Sequence, residues 1–337
     1  MALDTTDIIK GLIYEGVAFT LDDGKDMLQA RVDGDNSCAY LFFMYQGREL
    51  DISRLDTSNA TSMRSMFKHC IYLRNIDVSH FNTLNVTDMF EMFYQCNAFT
   101  ELDLSKFDTS NVTNMGYMFW SNVNLKSLDL SNFDTSKVTN MQNMFNDMRV
   151  LESLNVSKFN TSKVTNMNSM FNYCPKLTSL DLSSFDTSNV TGISYMLAYC
   201  TSLTTVQGTL DLYSATNNVN IFYNSYALTG VTLKNIRKSL QIASGTLYGH
   251  LWELPYLINA VKELWDLSSG SQQTLTIGSA NLEKIASTYV KLITPTAEQI
   301  AADPYINNKL PCEVCESTDE GAMTLTAYAG LKNWVLA

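Results

Sequence analysis

Five stretches of the chain, starting at Leu73, Phe99, Leu125, Leu151 and Leu177, align without an insertion, each 26 residues after the last. They read "LRNIDVSHFNTLNVTDMFEMFYQC", "FTELDLSKFDTSNVTNMGYMFWSN", "LKSLDLSNFDTSKVTNMQNMFNDM", "LESLNVSKFNTSKVTNMNSMFNYC" and "LTSLDLSSFDTSNVTGISYMLAYC". An earlier copy runs back to about Gly47, and a decaying one, "LTTVQGTLDL", opens at Leu203. A period this strict restricts the chain to a stack of similar coils, because one coil of that length cannot bury its own apolar face. The 337 residues therefore divide into an N-terminal cap over 1–46, six repeats over 47–202, and degenerate repeats with an α/β cap over 203–337.

Within one coil, Leu125, Leu128, Leu130 and Phe133 follow the leucine-rich-repeat skeleton. A short strand turns Leu128 and Leu130 inward and Asp129 and Ser131 outward. The "DTS" that follows is a cluster of turn formers able to close a corner. Val138, Met141, Met144, Phe145 and Met148 then fall at spacings that predict a short helix with Thr139 as N-cap. The expected fold is an α/β leucine-rich-repeat solenoid, with a parallel sheet on one face, short helices on the other and a cap at each end. The methionines sit at the buried period of that helix, so they are expected to fill the core.

Stacking turns each repeat position into a column, with strands roughly 4.8 Å apart. Asp51, Asp77, Asp103, Asp129, Asn155 and Asp181 form a column on the outer strand face. Asp56, Asn82, Asp108, Asp134, Asn160 and Asp186 form another at the corner. Like charges at that spacing repel unless something satisfies them. A calcium ladder is one solution; hydrogen bonds from turn N–H groups and neighbouring hydroxyls are the other. Asn in both columns keeps an acceptor while dropping the charge, and no Gly-rich nonapeptide calcium motif is present, which favours hydrogen bonding. Asp77, Asp103, Asp129 and Asp181 remain as a candidate ligand-binding face, because repeat arrays commonly bind through the sheet side. The sequons at Asn59, Asn85, Asn111, Asn160 and Asn189 are written by the repeat itself and say little about glycosylation.

With 23 Lys and Arg against 34 Asp and Glu, a net charge of −11 argues against a nucleic-acid partner and against docking on anionic lipid. The N-terminus reads as no signal peptide, and no apolar run is long enough to insert in a membrane. Cys70, Cys96, Cys174 and Cys200 share a register with Asn122 and Met148, which suits a small packing position; Cys70–Cys96 and Cys174–Cys200 disulfides stay open. Cys312 and Cys315 form an isolated CxxC, a weak zinc or redox signal. His69, His80 and His250 sit in no catalytic motif, and equivalent carboxylates in a column lack the asymmetry of an acid and base pair. No enzyme activity, metal or cofactor is expected.

The pattern "LxxLDLSxFDTSxVTNMxxMFxxC" resembles the BspA-like leucine-rich-repeat surface proteins, strongly over 47–202. The resemblance implies adhesion or partner recognition by an extracellular array, on a bacterial cell surface or a phage particle, with a surface protein or glycan as partner. The alternative is a structural spacer whose irregular ends make particle or homo-oligomer contacts.

At the ends, "CAYLFFMYQG" is expected to be a strand over the first coil. "LWELPYLINAVKELWDL" predicts a helix with Pro255 in its first turn, "QTLTIGS" a strand, and "TPTAEQIAADP" a short helix. A last helix is expected to end near Gly330 before a final strand. Tyr213, Tyr223, Tyr226, Tyr248, Trp252, Tyr256 and Trp265 are expected mainly in the cap core, with interface or sugar stacking as the rival role.

Overall fold

The computed structural model describes residues 37–53, 55–242, 252–266, 271–277 and 279–336, together with a two-stranded antiparallel pair, β1 (Ile13–Tyr14) and β2 (Val17–Ala18). Tyr248 and His250 lie outside the described residues. The Met- and Phe-rich segments stack in parallel through successive bridges, Ser37 to Ser62, Asp88, Asn114, Asn140, Asn166, Gly192 and Asn217. Neighbouring rows are thus 25 or 26 residues apart, the period of the sequence.

These rows are not helices. In the row at 140–148, the N–H groups of Met141, Asn143, Phe145 and Asp147 donate to Asn166, Asn168, Met170 and Asn172 of the next row, at 2.8–2.9 Å. The N–H groups between them close short turns, Met144 to Met141 and Asn146 to Asn143. Two residues per row hold the left-handed conformation that makes this alternation possible: Asn143 (φ 54°) and Asp147 (φ 60°) here, Ser65 and His69 or Tyr195 and Tyr199 in other rows. A helix would spend every N–H within its own coil; the left-handed residues turn alternate N–H groups outward to the neighbouring row instead. The expected helix failed because serial turns bury the same set of side chains: Met141, Met144, Phe145 and Met148 are fully buried. Thr139 is accordingly no N-cap, since both its N–H and Oγ1 donate to the carbonyl of Thr113. The segment expected as a covering strand at 38–47 is likewise a turn row, its N–H groups at Cys38, Tyr40, Phe42 and Met44 donating to Ser62, Arg64, Met66 and Lys68.

The opposite side of the stack carries the expected strands, as short parallel pairs. Ser127–Asp129 (β3) pairs with Ser153–Asn155 (β4), Ser179–Asp181 (β5) with Thr205–Gln207 (β6), and Thr209–Asp211 (β7) with Thr232–Lys234 (β8). Gly208 (φ 97°) separates β6 from β7, and a Cβ there would lie 2.5 Å from the Leu182 carbonyl oxygen. The array's regularity decays at this glycine because one coil there feeds two strand pairs.

Between the two faces, Phe42, Phe67, Phe93, Phe119, Phe145 and Phe171 form an unbroken stack with centroids 5.4–5.9 Å apart and planes within 9° of parallel. At the corner, buried Thr57, Thr83, Thr109, Thr135, Thr161 and Thr187 each donate through Oγ1 to a backbone carbonyl of the next coil. Thr135 also accepts the N–H of Asn160, so one hydroxyl satisfies both backbone groups of that residue. Buried backbone groups demand such partners.

The cysteine register is a second donor column. Sγ of Cys70, Cys96, Cys174 and Cys200 donates at 3.0–3.1 Å to the carbonyls of Phe42, Phe67, Phe145 and Phe171, and the Asn122 amide donates likewise to Phe93. All seven cysteines are free thiols, so the open disulfide pairings are not made. Burial pushes the Cys38 thiol up to about 11 and Cys200 up to about 12, and thiolates are the reactive form. Ellman's reagent at pH 8 is therefore expected to titrate at most the half-buried Cys315 in the native chain and all seven thiols in guanidinium; fast native reaction of several would contradict the burial.

The C-terminal part builds around Leu254–Lys262 (α1), which carries Pro255 in its first turn as expected and packs on β8, with Asn259 Oδ1 accepting the Leu233 N–H. Leu240–Gln241 (β9), Gln273–Thr276 (β10) and Trp334–Leu336 (β14) form a parallel sheet; Tyr289–Leu292 (β11) lies antiparallel between Cys312–Cys315 (β12) and Met323–Thr324 (β13). Helices Ser279–Ile285 (α2), Ala297–Ala302 (α3) and Leu325–Leu331 (α4) complete it. The expected strand at 273–276, the short helix capped by Thr296 and the final helix and strand are present. Trp252 is fully buried, whereas Tyr213, Trp265 and Tyr305 cluster half-buried with Arg237 over the first two rings.

Candidate recognition surface

On the strand face, Asp77, Asp103, Asp129 and Asp181 do line one exposed column. Each carboxylate has local work. Its Oδ1 accepts the backbone N–H of the serine two residues on, Ser79, Ser105, Ser131 or Ser183, at 2.9 Å. The corner column makes the same turn: Asp56, Asp108, Asp134 and Asp186 accept from Ser58, Ser110, Ser136 and Ser188. Asn155 and Asn160 do so without charge. The serine backbone and hydroxyl donors hold Asp103 and Asp129 below the usual carboxylate range, and for Asp103 they outweigh the opposing charge of Asp77. Repulsion along the column is thus met by fixed donors. Among the described residues, no group of three or more His, Cys, Asp or Glu side chains is placed to hold a metal ion.

The turn face differs. Two of its columns change residue from row to row; most of their members reach solvent at least in part, while Ser121 and Asn146 are buried. One runs Phe43, Lys68, Tyr94, Trp120, Asn146, Asn172; its neighbour, in the left-handed positions, runs His69, Gln95, Ser121, Asp147, Tyr173, Tyr199. The first four rows join aromatic groups into a strip. Phe43 meets Tyr40 and His69, each at 5.9 Å, His69 meets Tyr94 at 5.2 Å, and Tyr94 stacks on Trp120 at 4.4 Å with planes 17° apart. Arg64 lies 4.1 Å over Phe90 and Lys68 4.6 Å over Tyr94, while Asp88 and Glu91 pair those cations. His69 is half-buried in this strip, and that burial lowers its pKa. A second aromatic run, Tyr173, Tyr199 and Tyr223, follows further along.

On the expected helix these positions would lie outside the buried face. The signal was present, since aligned repeats keep Met and Phe at the buried positions but place Lys, Tyr, Trp and Asn at residues 68, 94, 120 and 146. Open positions that vary inside an otherwise uniform array are free of packing constraint and available to a partner.

Comparison with known proteins places the array. The sequence profile described as "Mycoplasma protein of unknown function, DUF285" matches residues 36–127 and 121–235. No curated protein matches the chain. Among solved structures, the functional domain of InlJ from Listeria monocytogenes, described as including a cysteine ladder, is similar at 13% identity. The match covers 74% of this chain and 71% of that one, with a TM-score of 0.20. The profile spans the turn rows from Ser37 to Asn217 and more than half of the sequence, and the chain belongs to the family described as Mycoplasma protein of unknown function, DUF285.

Proposed function

We propose that this chain is a non-enzymatic recognition protein, a leucine-rich-repeat-type solenoid displayed outside a cell or on a phage particle, that binds a surface protein or glycan through its turn face. The observation that carries this reading is the partly exposed aromatic strip from Tyr40 to Trp120, set into an otherwise repeating surface. Tyr and Trp supply contact area at low entropic cost and dominate binding hot spots. The strand face lacks this character, its Asp and Ser groups being used in turns. That uniformity also supports the second reading, a spacer that attaches through its ends.

The repeat supplies fold-preserving substitutions, because Asn already occupies the Tyr94 and Trp120 column at Asn146 and Asn172. Binding of the full chain to immobilised cell-surface glycoproteins should fall at least tenfold for Tyr94→Asn/Trp120→Asn. It should stay unchanged for Asp103→Asn/Asp129→Asn. The opposite pattern would move recognition to the strand face, and loss only on altering residues 203–337 would favour the spacer.

A further inference from the structure

The ring column on the turn face stops at Trp120. Tyr94 covers one face of the indole. On its other side the column continues with the shorter side chains of Asn146 and Asn172. There the surface dips into a depression of about 340 Å³ lined by Trp120, Asn146, Asp147, Arg149, Asn172 and Tyr173. Tyr173 bounds it two rows beyond Trp120, roughly 10 Å at the spacing of stacked chains, and is 43% exposed.

The polar groups of this groove are held in place. Asn172 Nδ2 donates to Asn146 Oδ1 at 3.2 Å. Asp147 accepts from Ser121 Oγ at 2.8 Å and from Arg149 Nε at 2.8 Å and Nη2 at 3.3 Å. The guanidinium of Arg149 lies 5.8 Å from the Tyr173 ring centroid, and its side chain is 60% exposed.

We propose that this groove is a subsite for a neutral pyranose ring. The inference rests on the turn-face reading above and names the ligand class for that face. A pyranose presents a flat apolar C–H face, which suits the part of the indole that lines the depression, and a rim of hydroxyls. The Arg149 guanidinium, largely exposed, and the Asp147 carboxylate that it pairs offer donors and acceptors for that rim at fixed positions, backed by the Asn146–Asn172 amide bond. The ion pair is internally neutral, and the chain carries a net charge of −11, so nothing favours an anionic sugar. The volume lies at the small end of ligand sites, ~300–1,000 Å³, which fits a terminal residue or one ring of a longer chain.

The test is titration of the full chain with defined neutral oligosaccharides of hexose and N-acetylhexosamine type, followed by calorimetry and tryptophan fluorescence. Trp252 and Trp334 are buried, and Trp265 lies half-buried against Tyr213 and Tyr305 in the C-terminal part, so the emission change from this groove should come from Trp120 and vanish in Trp120→Asn, any change that remains being that of Trp265. Affinity is expected to drop about tenfold or more in that variant and several-fold in Tyr173→Ser, which installs the residue found at Ser121 in the same column. Asp103→Asn/Asp129→Asn should bind as the parent does. Binding of no neutral saccharide, preference for sialylated or uronic-acid glycans, or binding that survives Trp120→Asn would each overturn the subsite. Binding to enzymatically deglycosylated protein that is lost in Tyr94→Asn/Trp120→Asn would overturn the subsite yet leave the recognition face standing. Binding indifferent to both turn-face variants would overturn both.

Discussion

Replacing Phe145 by Ala is expected to destabilise the array by about 3–5 kcal/mol, as for other fully buried aromatic truncations. Phe145 is 0% exposed and stacks on Phe119 at 5.8 Å and Phe171 at 5.6 Å. Its removal opens a gap between Phe119 and Phe171 in a core where Met141, Met144 and Met170 of the same and the next row are also fully buried. The row cannot close over that gap, because its backbone is bonded to the next row at Asn166, Asn168, Met170 and Asn172. Stability in a stack is a sum of row and interface terms, so a defect in a middle row weakens two interfaces at once. Phe145→Leu is the informative companion, since Leu197 already stands in this column; its cost should be well below that of Ala. Urea midpoints of the two variants check this. Equal, small losses for both would mean that the ring stack does not carry the fold.

The second large effect is a pH dependence in the C-terminal part. Lys332 is fully buried, its Nζ donating to the carbonyls of Lys262 at 3.0 Å and Leu264 at 2.7 Å and lying 4.2 Å over the Tyr328 ring. Burial lowers its pKa from 10.5 to about 7, against the opposing pull of Glu263 and Asp266. Below pH 7 both folded and unfolded chains carry the charge, and the full cost of burying it is felt. Between about 7 and 10.5 the unfolded chain keeps a proton that the folded one has released, so stability rises with pH. The limiting slope is about 1.4 kcal/mol per pH unit. From pH 7 to 9.5 the C-terminal part is therefore expected to gain several kcal/mol, and Lys332→Met should abolish the gain. Parallel pH profiles for the parent and Lys332→Met would show that this lysine is not the group responsible. Lys309, also buried, is paired with carboxylates instead: Glu263 and Asp303 each accept from its Nζ at 2.6 Å.

The period, the stacking and the inward residues were legible in the sequence because a repeat shows its buried positions several times over. Leu128, Phe133, Met141 and Phe145 are all buried. The backbone of the rows was not legible. Left-handed residues such as Glu91, Gln95, Tyr117 and Ser121 are not the Gly, Asn or Asp that normally signal that conformation. They are held there by bonds to the next row, such as Glu91 to Gly116 and Ser121 to Asn146, a tertiary cause with no local trace. That error hid the candidate site. A helix would have turned Tyr94 and Trp120 into unremarkable flank residues, and attention passed to the Asp column, where the conspicuous chemistry proves to be turn closure. The cysteine register was legible as a packing position and the DTS cluster as a corner, but the donor roles of the threonines and cysteines depend on carbonyls of a neighbouring coil, 24 to 29 residues away.

The claim on which the rest depends is that the rows are left-handed turn ladders, since only that geometry lays the variable residues side by side. Ser169 tests it, having φ 55° in the middle of a row, with its N–H donating to Ser194. At a left-handed position an L side chain costs about 1–2 kcal/mol, so Ser169→Gly should be more stable than Ser169→Ala by about 1 kcal/mol. In a helix the order reverses, with Gly the weaker by about 1 kcal/mol. Urea midpoints with Gly above Ala are the result expected here, and Ala above Gly would contradict the ladder.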